Sequence, residues 1–208
     1  MSNNEKILAE LRRLYPDAGP ELNFTNPFET LIATMLSAQC TDKRVNMVTE
    51  KLFKRFTSCA DMAAITPEEL EPHIKECGLY RNKAKNIVAA CRGLVDRYGG
   101  VVPSNREELM ALPGVGQKTA GVVLMAAFGD PQIPVDTHVF RVSRRIGLAD
   151  ATTPEKVEVQ LRGLLDRDIW IYGHHLLIWH GRRICHAQKP ECDKCPLNDG
   201  LCGHCVDK

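Results

Sequence analysis

Long hydrophobic runs, alternating strand patterns and an excess of charge of one sign are all missing from this 208-residue chain. No apolar stretch approaches the roughly 20 residues that a membrane-spanning helix needs, which argues against a bilayer protein of that kind. Apolar and polar residues nowhere alternate over a useful length, and Val101-Val102 is too short to count as a strand. The net charge is only +1, so a nucleic-acid-binding face has to come from local clustering, as with Arg141, Arg144, Arg145, Arg182 and Arg183. Such a run is ordinarily a solvated face. The first fifteen residues read as a polar amphipathic helix, with neither a signal-peptide core nor the Arg- and Ser-rich character of a transit peptide. These absences predict a soluble protein of a bacterial cytoplasm with no membrane attachment. No repeat, low-complexity tract or flexible linker appears, so two lobes would have to pack directly.

What is abundant is helical periodicity. Ile7, Leu8, Leu11 and Leu14 share one face of a helix over 5–14. Asn26-Pro27-Phe28-Glu29 combines an N-cap, a first-turn proline and a capping acid, opening a helix to about Ala38. Thr41-Asp42 starts another with Val45, Val48, Leu52, Phe53 and Phe56 inside, and Thr66-Pro67-Glu68-Glu69 repeats the capping formula before Gly78. Residues 82–98 carry Ile87, Val88, Cys91, Leu94, Val95 and Tyr98, and stop at Gly99-Gly100. Further helices are expected from Asp136 to Gly147, after Thr153-Pro154, and over roughly 169–186. The fold class is all-α.

At the centre stands Leu112-Pro113-Gly114-Val115-Gly116-Gln117-Lys118-Thr119. Ser104 and Glu107 read as a capping box for a helix covering Leu109 to Leu112. The proline and two glycines break that helix, and an apolar one follows until Gly129-Asp130-Pro131. Gly114 and Gly116 can adopt backbone angles closed to other residues and leave no side chain over the turn. The amides at the second helix's start then suit a phosphate. Lys118 is out of place there, because the first turn of a helix favours acids; its position favours the neutral amine, which is a nucleophile. Asp136 begins the next helix as a natural N-cap. The pair reads either as a phosphate contact plus a cap or as a nucleophile with its carboxylate partner.

Nine cysteines are an odd number for a disulfide framework, and five of them fall within the last 24 residues. That crowding favours metal or cluster ligation. Cys185, Cys192, Cys195 and Cys202 are separated by six, two and six residues, and four such thiolates suit a [4Fe–4S] cluster or a structural zinc. Cys40, Cys59, Cys77 and Cys91 are scattered through helical segments and read as small core or surface residues.

The Leu112–Ala120 motif, the run Val135-Asp136-Thr137-His138-x-Phe140-Arg141-Val142 and the cysteine tail together resemble the endonuclease III family of helix-hairpin-helix DNA glycosylases with abasic-site lyase activity. Pro27-Phe28-Glu29, Leu36-Ser37-Ala38-Gln39 and Gly78-Leu79-Tyr80 match the family in the expected order, so the resemblance covers nearly the whole chain. It implies a two-lobed fold: a six-helix lobe over 21–130, and a cluster lobe made of 1–20 with 131–208. The active cleft would lie between them, with Lys118 on one side and Asp136 on the other. It further implies a bifunctional enzyme that removes damaged, oxidised pyrimidines from duplex DNA and cleaves the abasic site by β-elimination. Lys118 would be the nucleophile and Asp136 its helper, with no cofactor beyond the cluster. Gln39 and Leu79 correspond to gap-filling and wedge positions, Gly114 and Gly116 to the phosphate-gripping turn, and His138 and Asp42 to positions near the cleft. Lys83 and Lys85, beside the wedge loop, are candidate phosphate contacts. The partner would be duplex DNA carrying damaged bases or abasic sites, met by a monomer.

The resemblance also implies a [4Fe–4S] cluster on Cys185, Cys192, Cys195 and Cys202. The final gap is one residue longer than the family's, which makes Cys205 a second candidate; one extra loop residue is easily absorbed, so Cys202 is preferred. Adenine-specific mismatch relatives carry a catalytic Glu where Ala33 stands and a further C-terminal domain. Some thymine-mismatch relatives have Tyr in place of Lys118. A non-catalytic helix-hairpin-helix module would need the two glycines but not Asp136.

Overall fold

The computed structural model describes residues 2–206, apart from the side chains of 205 and 206. Among the described residues every regular element is helical and no strand is present. No helix of the described residues is long and apolar enough to cross a membrane. The chain divides into two compact units, one formed by 20–130 and the other by 1–19 with 131–208.

The 20–130 unit contains α2 (Pro27–Leu36), α3 (Asp42–Arg55), α4 (Cys59–Ala63), α5 (Pro67–Ile74), α6 (Tyr80–Tyr98), α7 (Arg106–Met110) and α8 (Gln117–Phe128). Its axis is α2, with every residue from Thr30 to Leu36 buried. A helix that apolar all round belongs in the middle of a domain. Its two threonines do not break the rule, because Thr30 Oγ1 donates to Asn26 O at 2.9 Å and Thr34 Oγ1 to Thr30 O at 2.7 Å. Leu52, Met62, Leu70, Ile87, Leu94, Leu109 and Val123 close around it, one from each of the other helices except α6, which supplies two.

Local signals explain most boundaries. Asn26, Thr41 and Thr66 cap α2, α3 and α5 as their sequences indicate. Two details differ from expectation. The cap of α7 is Asn105, whose side chain accepts from Glu108 N at 3.1 Å, not Ser104. The two overlapping S/N-x-x-E frames are equivalent locally, and the fold uses the later one. The short α4 carries its own capping box, Ser58 with Asp61, and did not register as a helix because five residues show no period.

The second unit contains α1 (Asn3–Leu14), α9 (Thr137–Arg145), α10 (Pro154–Leu164), α11 (Trp170–Arg183) and the tail, ending in α12 (Gly203–Val206). Ile7, Leu11, Val139, Val142, Val157, Leu161, Leu176 and Leu177 form its core. Helix α9 packs on α11 where Gly181 leaves room: a Cβ there would come within 3.0 Å of Val142 and 3.1 Å of His138. The segment that follows α1 is anchored on α11. Tyr172 OH donates to Tyr15 O at 3.0 Å, and Trp179 Nε1 donates to Gly19 O at 3.0 Å.

Candidate active site

The hairpin between α7 and α8 is built by Gly114, which sits at φ +77° in the left-handed region. A Cβ there would lie 2.7 Å from Asn86 Cβ, so both backbone and space demand glycine. Gly116 does not use the backbone freedom that the sequence offers at both glycines. It is the N-cap of α8 at φ −92°, ψ 179°, extended backbone open to any residue, with nothing within 4 Å of an added Cβ. What glycine contributes there is an uncovered helix start, since α8 has no side-chain cap on its first amides. Lys118 is the second residue of α8 and is exposed.

Asp136 is the N-cap of α9. Its Oδ1 accepts from His138 N and from Val139 N, both at 2.8 Å, which fixes the carboxylate in one orientation. His138 is the second residue of α9, with Nδ1 3.2 Å from Arg141 Nη2. Burial lowers its pKa, with Arg141 and Arg182 adding to the effect and Asp136 opposing it. The imidazole is therefore neutral near pH 7 and accepts the Arg141 N–H.

Gln39 and Leu79 are both exposed and both left-handed, at φ +53° and +47°. With Lys189 they are the non-glycine residues of positive φ among those described. For a leucine this is a costly conformation, of order 1–3 kcal/mol, and such strain gathers where loops are held for a purpose. Leu79 is 56% exposed, an apolar side chain presented to solvent directly before α6. Asp42 is half-buried in the first turn of α3, as its place after the Thr41 cap accounts for.

Several of the basic residues are engaged within the fold. Lys83 is buried and donates to Leu36 O and Cys77 O, whereas Lys85 is exposed. Arg141 donates to Cys185 O at 3.1 Å and Gly181 O at 3.0 Å. Arg145 donates to His186 O at 2.6 Å and Ala187 O at 3.1 Å, and Arg183 stacks on the Trp179 ring at 3.7 Å. Arg141 and Arg145 thus hold the cysteine loop. Sequence reading missed this internal use, although one signal existed for Lys83: it falls in the apolar register of α6 with Ile87, Cys91 and Leu94.

Cys185, Cys192, Cys195 and Cys202 line one pocket, together with Ile146, His180 and Ile184. Four thiolates around one pocket are a donor set that suits an iron–sulfur cluster or a structural zinc. Arg145 Nη1 reaches Cys185 Sγ at 3.5 Å, and His180 Nε2 lies 3.6 Å from Cys195 Sγ. His180 is held neutral, its pKa lowered to about 4 by burial, and its Nδ1 is 3.2 Å from Tyr15 OH. With the phenol donating to Nδ1, the ring proton sits on Nε2 and points at the sulfur. The Cys205 side chain, the alternative fourth ligand, lies outside the described residues.

A glycine-turned helical hairpin with an uncovered helix start, joined to a four-cysteine tail, defines a helix-hairpin-helix protein with an iron–sulfur loop. The family of HhH-GPD superfamily base excision DNA repair proteins matches residues 32–167, and the iron-sulfur binding domain of endonuclease III matches 185–202. Endonuclease III of Escherichia coli (strain K12) is 47% identical over 197 residues, covering 95% of this chain and 93% of that one. Endonuclease III of Bacillus subtilis (strain 168) is 47% identical over 194 residues, covering 93% and 89%. A trapped Endonuclease III–DNA covalent intermediate superposes with a TM-score of 0.94 at 47% identity, over 100% of this chain and 98% of that one. A thermostable thymine-DNA glycosylase, 24% identical with a TM-score of 0.88, shares the fold. The chain belongs to the endonuclease III family within the HhH-GPD superfamily. A [4Fe–4S] cluster comes with that membership.

Proposed function

We infer that this chain is a base-excision-repair DNA glycosylase that removes damaged pyrimidines from duplex DNA and cleaves the resulting abasic site by β-elimination. The observation that carries the reading is the match to a protein caught covalently joined to DNA, in a chain with an exposed lysine directly after a glycine hairpin. A Schiff-base enzyme needs an amine at that kind of position.

Lys118 Nζ attacks C1′ of the extruded nucleotide. The C1′–N bond breaks and its electron pair leaves with the base, which takes up a proton. The lysine loses its proton to Asp136 or to the leaving base, and ring opening gives the protonated Schiff base. Loss of a 2′ proton then expels the 3′ phosphate, and water releases the lysine. Asp136, locked by its two amide contacts, keeps an acceptor oriented and stabilises positive charge developing on the sugar.

Gly114 shapes the hairpin and Gly116 leaves the α8 amides open to a backbone phosphate. Gln39 and Leu79 enter the duplex, one filling the gap left by the extruded base and the other wedging the opposite strand. His138, neutral and ordered on Arg141, sits in the same turn as Asp136 and contacts DNA near it. Cys185, Cys192, Cys195 and Cys202 hold the cluster, which when bound supplies a covalent cross-link for a loop that Arg141 and Arg145 already brace. The protein acts as a monomer in a bacterial cytoplasm.

The test is a product analysis on a duplex containing one thymine glycol. Release of free base together with a 3′-unsaturated aldehyde end is expected. Base release that leaves the strand intact would reduce the activity to a monofunctional glycosylase.

A further inference from the structure

We propose that Lys83 is a positioning residue for duplex recognition: its buried ammonium joins the end of α2 to the turn at 75–77 and so sets the conformations of Gln39 and Leu79 together. The proposal rests on the reading of those two residues as the ones that enter the duplex.

Lys83 Nζ donates to Leu36 O at 2.8 Å and to Cys77 O at 2.8 Å. Leu36 is the last residue of α2 and Cys77 the last of the 3-10 turn at 75–77, so both carbonyls are helix-end acceptors with no partner in their own helix. Gln39 follows three residues after the first carbonyl, and Leu79 two residues after the second. The same lysine's backbone N–H closes the first turn of α6 on Leu79 O at 3.1 Å. One residue therefore holds Leu79 from both sides and reaches across to the Gln39 loop.

Packing alone does not account for a lysine there. The position is 7% exposed and lies in the apolar register of α6. A leucine or methionine would fill that volume without taking an ammonium out of water, which is costly unless the charge is fully hydrogen-bonded. Burial lowers the lysine's pKa, the direction expected for a desolvated cation, while Cys77 and Cys40 oppose it. Such a group is worth its desolvation where two segments must keep one relative placement. Each of the two segments here carries a non-glycine residue at positive φ, a conformation that persists only when its surroundings determine it.

The experiment is single-turnover cleavage of an abasic site, in duplex and in a single-stranded oligonucleotide, by wild type, Lys83→Met, Leu79→Ala, Gln39→Ala and the Lys83→Met/Leu79→Ala double variant. On the duplex, Lys83→Met and Leu79→Ala should each slow cleavage by roughly 10–100-fold, the scale of a misplaced positioning contact. The double variant should fall no more than about twofold below the slower single variant, because both remove the same function. The single-stranded site needs no wedge, so Lys83→Met should change it less than about twofold, and this reaction also reports on folding. Lys83→Gln, which keeps two N–H donors on a shorter arm, replaces the methionine variant if that one is insoluble, with the same expectations. Multiplicative effects, an unchanged duplex rate, or parallel loss on both substrates would overturn the proposal. If Leu79→Ala and Gln39→Ala themselves leave the duplex rate unchanged, the reading of the two loops fails and the role of Lys83 fails with it.

Discussion

Gly114 and Gly116 stand two residues apart in one motif, yet the structure assigns them different duties, and a pair of substitutions separates these. In Gly114→Ala the new side chain has to adopt φ +77°, which costs about 1–2 kcal/mol for an L-residue. Its Cβ also arrives 2.7 Å from Asn86 Cβ, an atom fixed to the backbone of α6 that cannot swing aside. Overpacking of that kind costs a further 1–3 kcal/mol or so. The sum is about 3 kcal/mol, near the middle of its range, and for a chain of this size it lowers Tm by roughly 6–12 °C. Gly116→Thr meets none of these penalties: the backbone is extended, no atom lies within 4 Å, and threonine and glycine are nearly equal as N-caps. Its stability should stay within about 0.5 kcal/mol of wild type. The branched side chain nevertheless covers the α8 amides, so affinity for duplex DNA should fall with or without a lesion, because phosphate contacts position without reading sequence. Thermal melts and binding at fixed salt measure both quantities. A Gly114→Ala protein as stable as wild type, or a Gly116→Thr protein that loses affinity only for damaged duplex, would refute the division of labour.

Two other expectations follow from the cluster-bearing unit. His175 is buried and its pKa is lowered to about 4, by desolvation first and Arg182 second, so the fold accommodates only the neutral ring. The unfolded chain takes up this proton near pH 6.5; the contribution is complete above that pH and is lost as pH falls towards 4, amounting to about 2 kcal/mol by pH 5. Denaturation midpoints at pH 7.5 and 5 should show a smaller difference in His175→Gln than in wild type, and an unchanged difference would assign the acid sensitivity elsewhere. Cys202→Ser should lose the yellow-brown absorbance and the iron of the purified protein, while Cys205→Ser keeps both; the reverse pattern would move the fourth ligand to Cys205.

The helical class and most element boundaries were legible because their signals are local: a capping residue, a first-turn proline and an apolar period were enough for α2, α3 and α5. The hairpin was legible as well, through Pro113, Gly114 and Gly116. What could not be read was how long polar side chains are used. Lys83, Arg141 and Arg145 look in the sequence like a positive surface, and each instead donates to backbone carbonyls, those of Leu36 and Cys77 for Lys83 and of Gly181, Cys185, His186 and Ala187 for the arginines. Those carbonyls become acceptors only after distant segments meet, so no spacing rule announces them. The left-handed conformations of Gln39 and Leu79 were hidden for a related reason. Neither residue type favours positive φ, and only the surrounding contacts hold them there. The frame of the α7 cap was hidden by a tie between Ser104 and Asn105.

The central assignment is the amine of Lys118, and borohydride trapping tests it most directly. Wild-type protein incubated with an abasic duplex and sodium borohydride should give a covalent protein–DNA band that survives denaturing gel electrophoresis. Lys118→Ala should give none, with its melting temperature unchanged because the side chain is exposed. A trapped band of wild-type intensity from Lys118→Ala would place the nucleophile on another amine and contradict the mechanism.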